Sequence, residues 1–236
     1  MNFRIVDLAE TGSTNDWIAE HPEDGLWVRA DRQTAGRGRR ARAWTSEVGN
    51  LFTSTFAAPQ PGEGAAQQLS FVAANALLDT VARWVPRDRL SLKWPNDLLL
   101  DGVKVAGILL EGHAQGVIIG IGVNLAHFPE GTERPATSLA AAGIVPPSAR
   151  EACETLAEAF AAHRRRWREE GFGATRADWL TAAAGLGKPI VARLGNADLT
   201  GTFEGLAEDG ALLLRLPDGT LRPIHAGEVF TLGDQA

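Results

Sequence analysis

The feature that most restricts the fold of this chain is a segment rich in arginine and glycine, residues 33–44, called the arginine loop below. Between residues 36 and 42 it holds four arginines and two glycines, and its first large apolar side chain is Trp44. Strand-like runs at residues 26–30 and 51–56 flank it. Such a segment buries too little apolar surface to offset its ordering entropy, so we expect it to be mobile when alone. Its glycines permit close backbone approach and its guanidinium groups match phosphate or carboxylate, so we expect it to close over an anion.

Three other interpretations of the arginine loop stay open at this point. A charge run is often only a solvated surface. Gly36, Gly38 and Ala41 match a dinucleotide-binding spacing, but that motif opens a helix and a strand follows here. Basic loops also bind nucleic acid. The loop alone therefore does not decide between an enzyme that binds anions and a nucleic-acid-binding protein.

Length and composition predict a folded cytoplasmic protein. With 236 residues, 44% of them hydrophobic, the chain can form one large domain and a small one, and general disorder is excluded. The single cysteine, Cys153, cannot form an intramolecular disulfide and is predicted to be structural in a reducing compartment. The N-terminus lacks the apolar core of a signal peptide, and the apolar run at residues 117–123 is shorter than the roughly 20 residues that cross a bilayer. The net charge of −6 argues against a surface that binds nucleic acid throughout, and the five histidines lack metal-ligand spacing.

Residues 13–15, Ser-Thr-Asn, follow a short edge strand predicted at residues 5–8. Ser13, with Asp16 three residues later, predicts a helix N-cap with an acidic first turn. One cap does not require three polar side chains. We therefore expect this helix start to hold a polar ligand.

Two further segments carry residues out of place in an ordinary strand. Strands are predicted on both sides of the bend at residues 94–97, and Asp101-Gly102 predicts a hairpin that returns as a strand over residues 103–111. In that strand alternation places Lys104 on the face of Ala106, where burial requires an anionic partner unless the lysine reaches solvent at the strand end.

In the next strand, residues 117–125, one face carries only Gly120, Gly122 and Asn124, which leaves room for a flat ligand or for neighbouring backbone.

Helices and a small β module complete the prediction. Apolar spacing predicts an amphipathic, core-packing helix at residues 69–81. A second helix is predicted at residues 148–170, and its arginines, Arg164 among them, are assigned to the solvated face. A further helix is predicted at residues 174–184. Residues 189–232 then read as short strands separated by Asp-Gly turns, typical of a small β-barrel-like module.

Taken together, these segments resemble the biotin protein ligase family. The motifs that carry the resemblance occur in the family's order and spacing: Ser13-Thr14-Asn15, Gly36-Arg37-Gly38-Arg39-Arg40-x-Arg42-x-Trp44, Lys93-Trp94-Pro95-Asn96-Asp97, Lys104-x-Ala106-Gly107-Ile108-Leu109 and Gly120-x-Gly122-x-Asn124. There are two departures. Ala41 replaces a usual glycine, which we expect to stiffen the loop slightly without loss of activity. About a dozen residues precede Ser13, too few for the helix-turn-helix domain of some members, so we expect a ligase without repressor function.

The resemblance implies an α+β fold, with a mixed-sheet catalytic domain of the biotin/lipoate ligase type at residues 1–186 and an SH3-like β-barrel at residues 187–236. It implies that ATP and Mg²⁺ activate biotin as biotinyl-5′-AMP and that a lysine of a biotin carboxyl carrier domain then takes the biotinyl group. We expect no nucleic-acid or membrane partner, and a homodimer is possible because edge strands can pair. A lipoate-protein ligase-like enzyme is the nearest alternative, and a nucleic-acid-binding regulator is the second.

The same resemblance assigns roles to residues. The catalytic residues it implies are Lys104, Arg37, Arg39 and Lys93. The biotin site it implies comprises Ser13, Thr14, Asn15, Gln33, Gly36, Arg37, Gly38, Arg39, Lys104, Gly107 and Gly122. The ATP site it implies comprises Arg37, Arg39, Arg40, Trp44, Lys93, Asn96, Asp97 and Asn124, with Asp97 also the candidate Mg²⁺ ligand. Within these sets the polar group Ser13–Thr14–Asn15–Gln33 suits a ureido ring better than the dithiolane of lipoate.

Overall fold

A seven-stranded mixed sheet forms the larger part of the computed structural model, which describes residues 3–131, 135–195 and 197–231. Its strands are β1 (Arg4–Thr11), β2 (Leu26–Gln33), β3 (Leu51–Ala57), β4 (Leu90–Lys93), β5 (Asp97–Leu100), β6 (Val103–His113) and β7 (Gly116–Val123). They are ordered β1-β2-β3-β7-β6-β5-β4, with β1 and β2 parallel and the other neighbours antiparallel. Asp101 and Gly102 both have positive φ, 52° and 80°, as the predicted two-residue hairpin requires.

Helices cover the two faces of this sheet unequally. They are α1 (Thr14–Glu20), α2 (Leu69–Val81), α3 (Ala149–Glu170) and α4 (Phe172–Thr181). α2 packs on α3, α4 and one sheet face, so the predicted core-packing role is confirmed. The predicted amphipathic character is wrong, because eleven of its thirteen residues are buried. α1 lies on the opposite face, where Ile18 packs with Phe56 and Ile118. Because α1 is short, part of this second face stays free of helices. None of the helices in the described ranges is long and apolar enough to cross a membrane.

A separate five-stranded antiparallel sheet follows α4. It contains β8 (Pro189–Arg193), β9 (Asp198–Leu206), β10 (Leu212–Arg215), β11 (Leu221–Ile224) and β12 (Glu228–Thr231), ordered β11-β10-β9-β8-β12. The sequence predicted four of these strands and missed β12. The predicted α+β class, a mixed sheet followed by a small all-β module, is confirmed. Residues 232–236, the end of the predicted second domain, lie outside the described residues.

The two sheets share one apolar core and are not loosely tethered. The rings of Phe71, Trp179 and Phe203 pack edge to face, joining α2 and α4 to the second sheet. The Trp94 indole donates to the Gly210 carbonyl over 3.2 Å. These contacts fix the second sheet beside the bend between β4 and β5.

One arginine of α3 was misplaced by the sequence prediction. Arg164 is 4% exposed, not solvated, and its guanidinium lies 2.6 Å from both Asp24 and Glu63. Two carboxylates from other segments neutralise it, which makes its burial tolerable. The apolar periodicity of one helix carries no information about ion-pair partners that lie far away in the sequence.

Candidate active site

A cavity of about 350 Å³ opens on the sheet face that the helices leave uncovered. Its walls are the start of α1, the arginine loop, strands β5 to β7 and the first residues of β12. All predicted site residues except Gly36 and Arg40 line it: Ser13, Thr14, Asn15, Gln33, Arg37, Gly38, Arg39, Trp44, Lys93, Asn96, Asp97, Lys104, Gly107, Gly122 and Asn124. Residues separated by up to 111 positions are thus brought to one place.

One end of the cavity, here called the polar end, is lined by Ser13, Thr14, Asn15 and Gln33, with Ser54 fully buried behind them. The Ser13 hydroxyl caps α1 by accepting from the Asn15 backbone N–H over 3.2 Å, as predicted. The backbone N–H and hydroxyl of Thr14 both donate to Gln33 Oε1, over 2.9 and 3.1 Å. The Ser54 hydroxyl lies 2.7 Å from Thr14 Oγ1 and 2.6 Å from Asn15 Oδ1. This end is a connected, uncharged network, and such networks hold their groups in defined orientations.

The bare glycine face of β7 forms the floor beneath this network. A Cβ at Gly120 would lie 2.3 Å from Asn15 Oδ1, and one at Gly122 would lie 2.7 Å from the Trp44 indole. The space beside these glycines was predicted to hold a ligand or neighbouring backbone. The side chains of Asn15 and Trp44 fill part of it. The Trp44 Nε1 atom is buried there without a hydrogen-bond partner. A ligand that enters beside Trp44 meets this donor.

Lys104 lies at the centre of the cavity. Its ammonium is 2.6 Å from Asp97 Oδ1 and 5.5 Å from the centroid of the Trp44 ring. The predicted need for an anionic partner is therefore confirmed. The predicted strand face is wrong, because the β5–β6 register shifts at this point and turns Lys104 toward Gly107 instead of Ala106. A β-bulge adds one residue and so reverses the alternation that the sequence suggested.

Arg37 anchors the first half of the arginine loop to the seven-stranded sheet and to α1. Four of its five N–H donors point at two carboxylates: Nε and Nη2 at Glu111, over 3.0 and 2.9 Å, and Nη1 and Nη2 at Asp16, over 3.0 and 2.7 Å. Hydrogen bonds from Asp16 and then Glu111 raise the pKa of Arg37 above its ordinary value. The backbone N–H of Trp44 donates to the Gly36 carbonyl and closes the loop. A side chain at Gly36 would lie 2.9 Å from the Trp44 carbonyl oxygen, so this position requires glycine.

The second half of the loop contacts the C-terminal sheet. Arg42 Nη1 lies 2.9 Å from Glu228 Oε1, and Arg40 Nη1 lies 3.7 Å from the same oxygen. Arg39 Nη1 reaches the Gly227 carbonyl over 3.4 Å. Lys93 approaches the face of Phe230 at 5.5 Å. The four cations Arg39, Arg40, Arg42 and Lys93 are called the cationic end; Arg39, Arg42 and Lys93 line the cavity, and Arg40 lies outside its lining.

Two buried or half-buried amides brace the wall between the two ends. Asn96 Nδ2 donates to the Ile108 carbonyl over 2.6 Å, and Asn96 Oδ1 accepts from Arg39 over 3.5 Å. Asn124 Nδ2 donates to the Thr137 carbonyl over 3.0 Å. In both residues one Nδ2–H is bound by backbone, which fixes the orientation of the amide.

Comparison with known proteins identifies the family. The sequence profile of the Biotin/lipoate A/B protein ligase family matches residues 4–124, and that of the Biotin protein ligase C terminal domain matches residues 185–232. The chain belongs to the Biotin/lipoate A/B protein ligase family. It is 45% identical to the biotin–[acetyl-CoA-carboxylase] ligase of Paracoccus denitrificans, over 94% of this chain and 98% of that protein. It is 34% identical to the bifunctional ligase/repressor BirA of Escherichia coli, over 95% of this chain and 73% of that protein.

Solved structures of biotin protein ligases share the fold. The Aquifex aeolicus biotin protein ligase in complex with biotin and ATP matches with a TM-score of 0.83 at 28% identity, over 96% of this chain and 97% of that chain. The sequence resemblance to biotin protein ligases is thereby confirmed. The fold shared with these ligases includes the C-terminal sheet that contacts the arginine loop.

The predicted Mg²⁺ can be tested against the side chains at this family's site. Within the described ranges no group of three or more His, Cys, Asp or Glu side chains could hold a metal ion. Asp97 is a single carboxylate, 11% exposed, beside the cationic end. Mg²⁺ commonly binds one or two carboxylates together with substrate phosphates. The residues therefore fit Mg²⁺ that arrives with a nucleotide, and Asp97 is the residue that would hold it.

Several side chains of the site were not selected from the sequence. Ser54 was read only as part of a strand, although it pairs with Gly120 in the β3–β7 register and a polar residue opposite a bare glycine is a usable signal. Asp16 and Glu111 gave no local signal for pairing with Arg37. Glu228 lies in β12, the strand that the sequence prediction missed.

Proposed function

We propose that this chain activates biotin with ATP as biotinyl-5′-AMP and transfers the biotinyl group to a lysine of a biotin carboxyl carrier domain. The observation that carries the proposal is the order of groups along one cavity. Contacts along the cavity give this order, from the uncharged network at the polar end through Lys104 to the cationic end. Asn15 of the polar end lies against Gly120, and Trp44 lies against Gly122 on the same strand face and beside Lys104. Lys104 pairs with Asp97, and the adjacent Asn96 accepts from Arg39 of the cationic end. Biotin has the same order of properties, because an uncharged ureido ring is joined by an apolar chain to a carboxylate, and the nucleotide phosphates follow it.

In the first step, a carboxylate oxygen of biotin attacks the α-phosphorus of ATP, and the bond to the pyrophosphate leaving group breaks. Two anions approach each other, so the site must supply positive charge rather than a nucleophile. We assign Lys104 to this junction, where its ammonium neutralises developing charge on the carboxylate and phosphate oxygens. Mg²⁺, when bound with the nucleotide, adds charge at the phosphates.

The remaining roles follow the same order. Thr14, Asn15 and Gln33 bind the ureido ring at the polar end, together with Ser13, and Ser54 holds Thr14 and Asn15 from behind. Arg39, Arg40 and Lys93 contact the phosphates, while Arg37 holds the loop through Asp16 and Glu111. We assign Trp44 and Asn124 to the adenine. A closed loop also excludes water from the mixed anhydride.

In the second step, the neutral amine of the acceptor lysine attacks the acyl carbon. The bond from that carbon to the AMP oxygen breaks, AMP leaves, and the amine loses a proton. Lys104 stays near the leaving phosphate and stabilises it. The relative from Paracoccus denitrificans is a ligase for acetyl-CoA carboxylase, which supports a carrier domain of that enzyme as the acceptor.

Domain limits, location and partners remain predictions of the same proposal. We place the catalytic domain at residues 1–186 and the C-terminal domain at residues 187–236. The proposal also includes a cytoplasmic location, no nucleic-acid partner and a possible homodimer.

Biotin-dependent ATP–pyrophosphate exchange tests the first step, with lipoate as the parallel substrate. We expect exchange with biotin and none with lipoate. Exchange with lipoate alone would overturn the assignment of the polar end, and absence of exchange with both would overturn adenylation. Mass spectrometry of an apo carrier domain, with a lysine-to-arginine acceptor as control, then tests the transfer.

A further inference from the structure

The carboxylate of Glu111 contacts both the polar end and the arginine loop. Its Oε2 atom accepts from Asn15 Nδ2 and also from Arg37 Nη2, the latter over 2.9 Å. Its Oε1 atom accepts from Arg37 Nε over 3.0 Å. One side chain near the end of β6 therefore joins the start of α1 to the start of the loop.

This contact fixes the orientation of the Asn15 amide. An ionised carboxylate only accepts hydrogen bonds, so the NH₂ group of Asn15 must face Glu111. The amide oxygen must then face Ser54, against Gly120, at the floor of the polar end. A ligand N–H is thereby offered an acceptor and not a donor.

The same carboxylate sets where the loop begins. Arg37 has two anionic partners, but Asp16 is 57% exposed whereas Glu111 is 31% exposed. Solvent and salt screen the exposed pair more strongly. The Arg37–Glu111 pair is therefore the better anchor for a loop whose ordering costs entropy.

We propose that Glu111 is a positioning residue that couples occupancy of the polar end to closure of the arginine loop. This coupling rests on the proposed function, because it takes biotin as the ligand that engages Asn15. A ligand N–H bound to Asn15 Oδ1 further stabilises the orientation in which the Asn15 NH₂ group faces Glu111. The amide in turn holds the Glu111 carboxylate in the position that receives Arg37. A closed loop, reciprocally, retains biotin.

The test is tryptic cleavage within the arginine loop, measured by mass spectrometry with and without biotin. In the wild-type chain we expect saturating biotin to slow cleavage after Arg39, Arg40 and Arg42 by about tenfold, the size of a lost charge-assisted contact. In Glu111→Gln we expect protection below about twofold and a biotin Kd raised about tenfold, because a neutral amide no longer fixes Asn15 or pairs with Arg37.

Asp16→Asn is the matched variant, since it removes the other Arg37 ion pair and leaves the Glu111–Asn15 contact intact. We expect it to cleave faster with and without biotin while keeping the wild-type protection ratio. Glu111→Asp is the second variant, because its carboxylate is too short to reach both partners yet keeps the charge should Glu111→Gln fold poorly. We expect its protection ratio to fall as well.

The outcomes separate the coupling from the proposed function. If both Glu111 variants keep the wild-type protection ratio while the wild-type chain exchanges pyrophosphate with biotin, the coupling is wrong and the function stands. If Asp16→Asn loses protection as fully as Glu111→Gln, then protection depends only on the ion pairs of Arg37. Glu111 would then not couple biotin binding to loop closure, and the proposal would be wrong. If the wild-type chain shows no biotin-dependent exchange, both proposals fall.

Discussion

The two ends of the cavity are built in opposite ways. At the polar end Thr14, Asn15 and Ser54 are at most 4% exposed, and their hydrogen bonds with one another and with Gln33 are 2.6 to 3.1 Å long. At the cationic end the Arg40 and Arg42 side chains are 46% and 50% exposed. Two of the Arg39 hydrogen bonds there, to Asn96 and to the Gly227 carbonyl, are 3.5 and 3.4 Å long.

This difference follows from what each end is expected to recognise. An uncharged ring is identified by the position of a few donors and acceptors, and these must be fixed before binding because a buried unpaired polar group is costly. Polyphosphate is a large charge that any nearby cation attracts, so exact placement matters less than charge and the ability to open and close. A rigid end and an adjustable end therefore suit the two substrates of one reaction.

The largest expected effect comes from the group between the two ends. Lys104→Ala should lower biotin-dependent ATP–pyrophosphate exchange by about 10²- to 10³-fold, because it removes charge where charge develops. It also leaves Asp97 without its partner at 2.6 Å. Lys188→Ala, at an exposed lysine just before β8, is the control and should exchange at the wild-type rate. Exchange by Lys104→Ala within threefold of wild type, about 0.6 kcal/mol, would remove the lysine from the chemistry.

The polar end should not tolerate a larger side chain at its floor. Gly120→Ala places a methyl group 2.3 Å from Asn15 Oδ1, so the amide must move. We expect the KM for biotin to rise about tenfold or more, the result of losing one or two well-placed polar contacts, while the KM for ATP changes little. Gly112→Ala in the neighbouring strand meets nothing within 4 Å and serves as the control. An equal rise in both KM values would mean that the two ends are not separate.

The closed position of the cationic end should depend on its contacts with the C-terminal sheet. Glu228→Gln removes the ion pair with Arg42 at 2.9 Å, which holds the second half of the loop. We expect biotinyl-AMP to dissociate about three to ten times faster, since a partly buried charge pair is lost. The KM for biotin should change less, because Arg37 still ties the first half of the loop to Glu111. Glu204→Gln, which breaks an exposed pair with Arg215 in the same sheet, is the matched control. Unchanged dissociation from Glu228→Gln would show that the C-terminal sheet does not hold the loop.

The smallest expected effect needs no substitution. Raising salt from about 0.05 to 0.5 M should increase the KM for ATP severalfold, because exposed arginines are screened within a Debye length of roughly 10 Å at 0.1 M salt. The KM for biotin should rise less, because the side chains of the polar end are uncharged and the Glu111–Arg37 pair beside them is only 31% exposed. Steady-state kinetics at matched pH compares the two. An equal rise in the KM for biotin would mean that the cationic end also recognises biotin.

Much of the site could be predicted from the sequence because its residues are contributed in short runs. Ser13 to Asn15, the loop from Gly36 to Trp44, and Lys93 to Asp97 are contiguous, and each run has a local reason to be where it is: a cap, a glycine-rich turn and a proline bend. What the sequence could not give were the partners of its charges. Arg37 is 74 residues from Glu111, and Arg164 is 101 residues from Glu63.

The face of Lys104 shows the same limit in one strand. Alternation placed it with Ala106, but a bulge in the β5–β6 pair shifts the register and turns the lysine toward Gly107 and the cavity. A bulge depends on how two strands fit each other and on the twist of the whole sheet. Nothing within residues 103–111 marks it.

By itself the sequence determined the chemical groups of this protein: a capped polar helix start, an arginine loop, a lysine in an apolar strand and a strand face of bare glycine. Periodicity and turn residues act over a few positions, which is why these elements were recognisable. Only the tertiary structure decided which groups meet. It placed Glu111 between Asn15 and Arg37, and Glu228 beside Arg42, because pairing across a sheet and packing between two sheets join residues far apart in the chain.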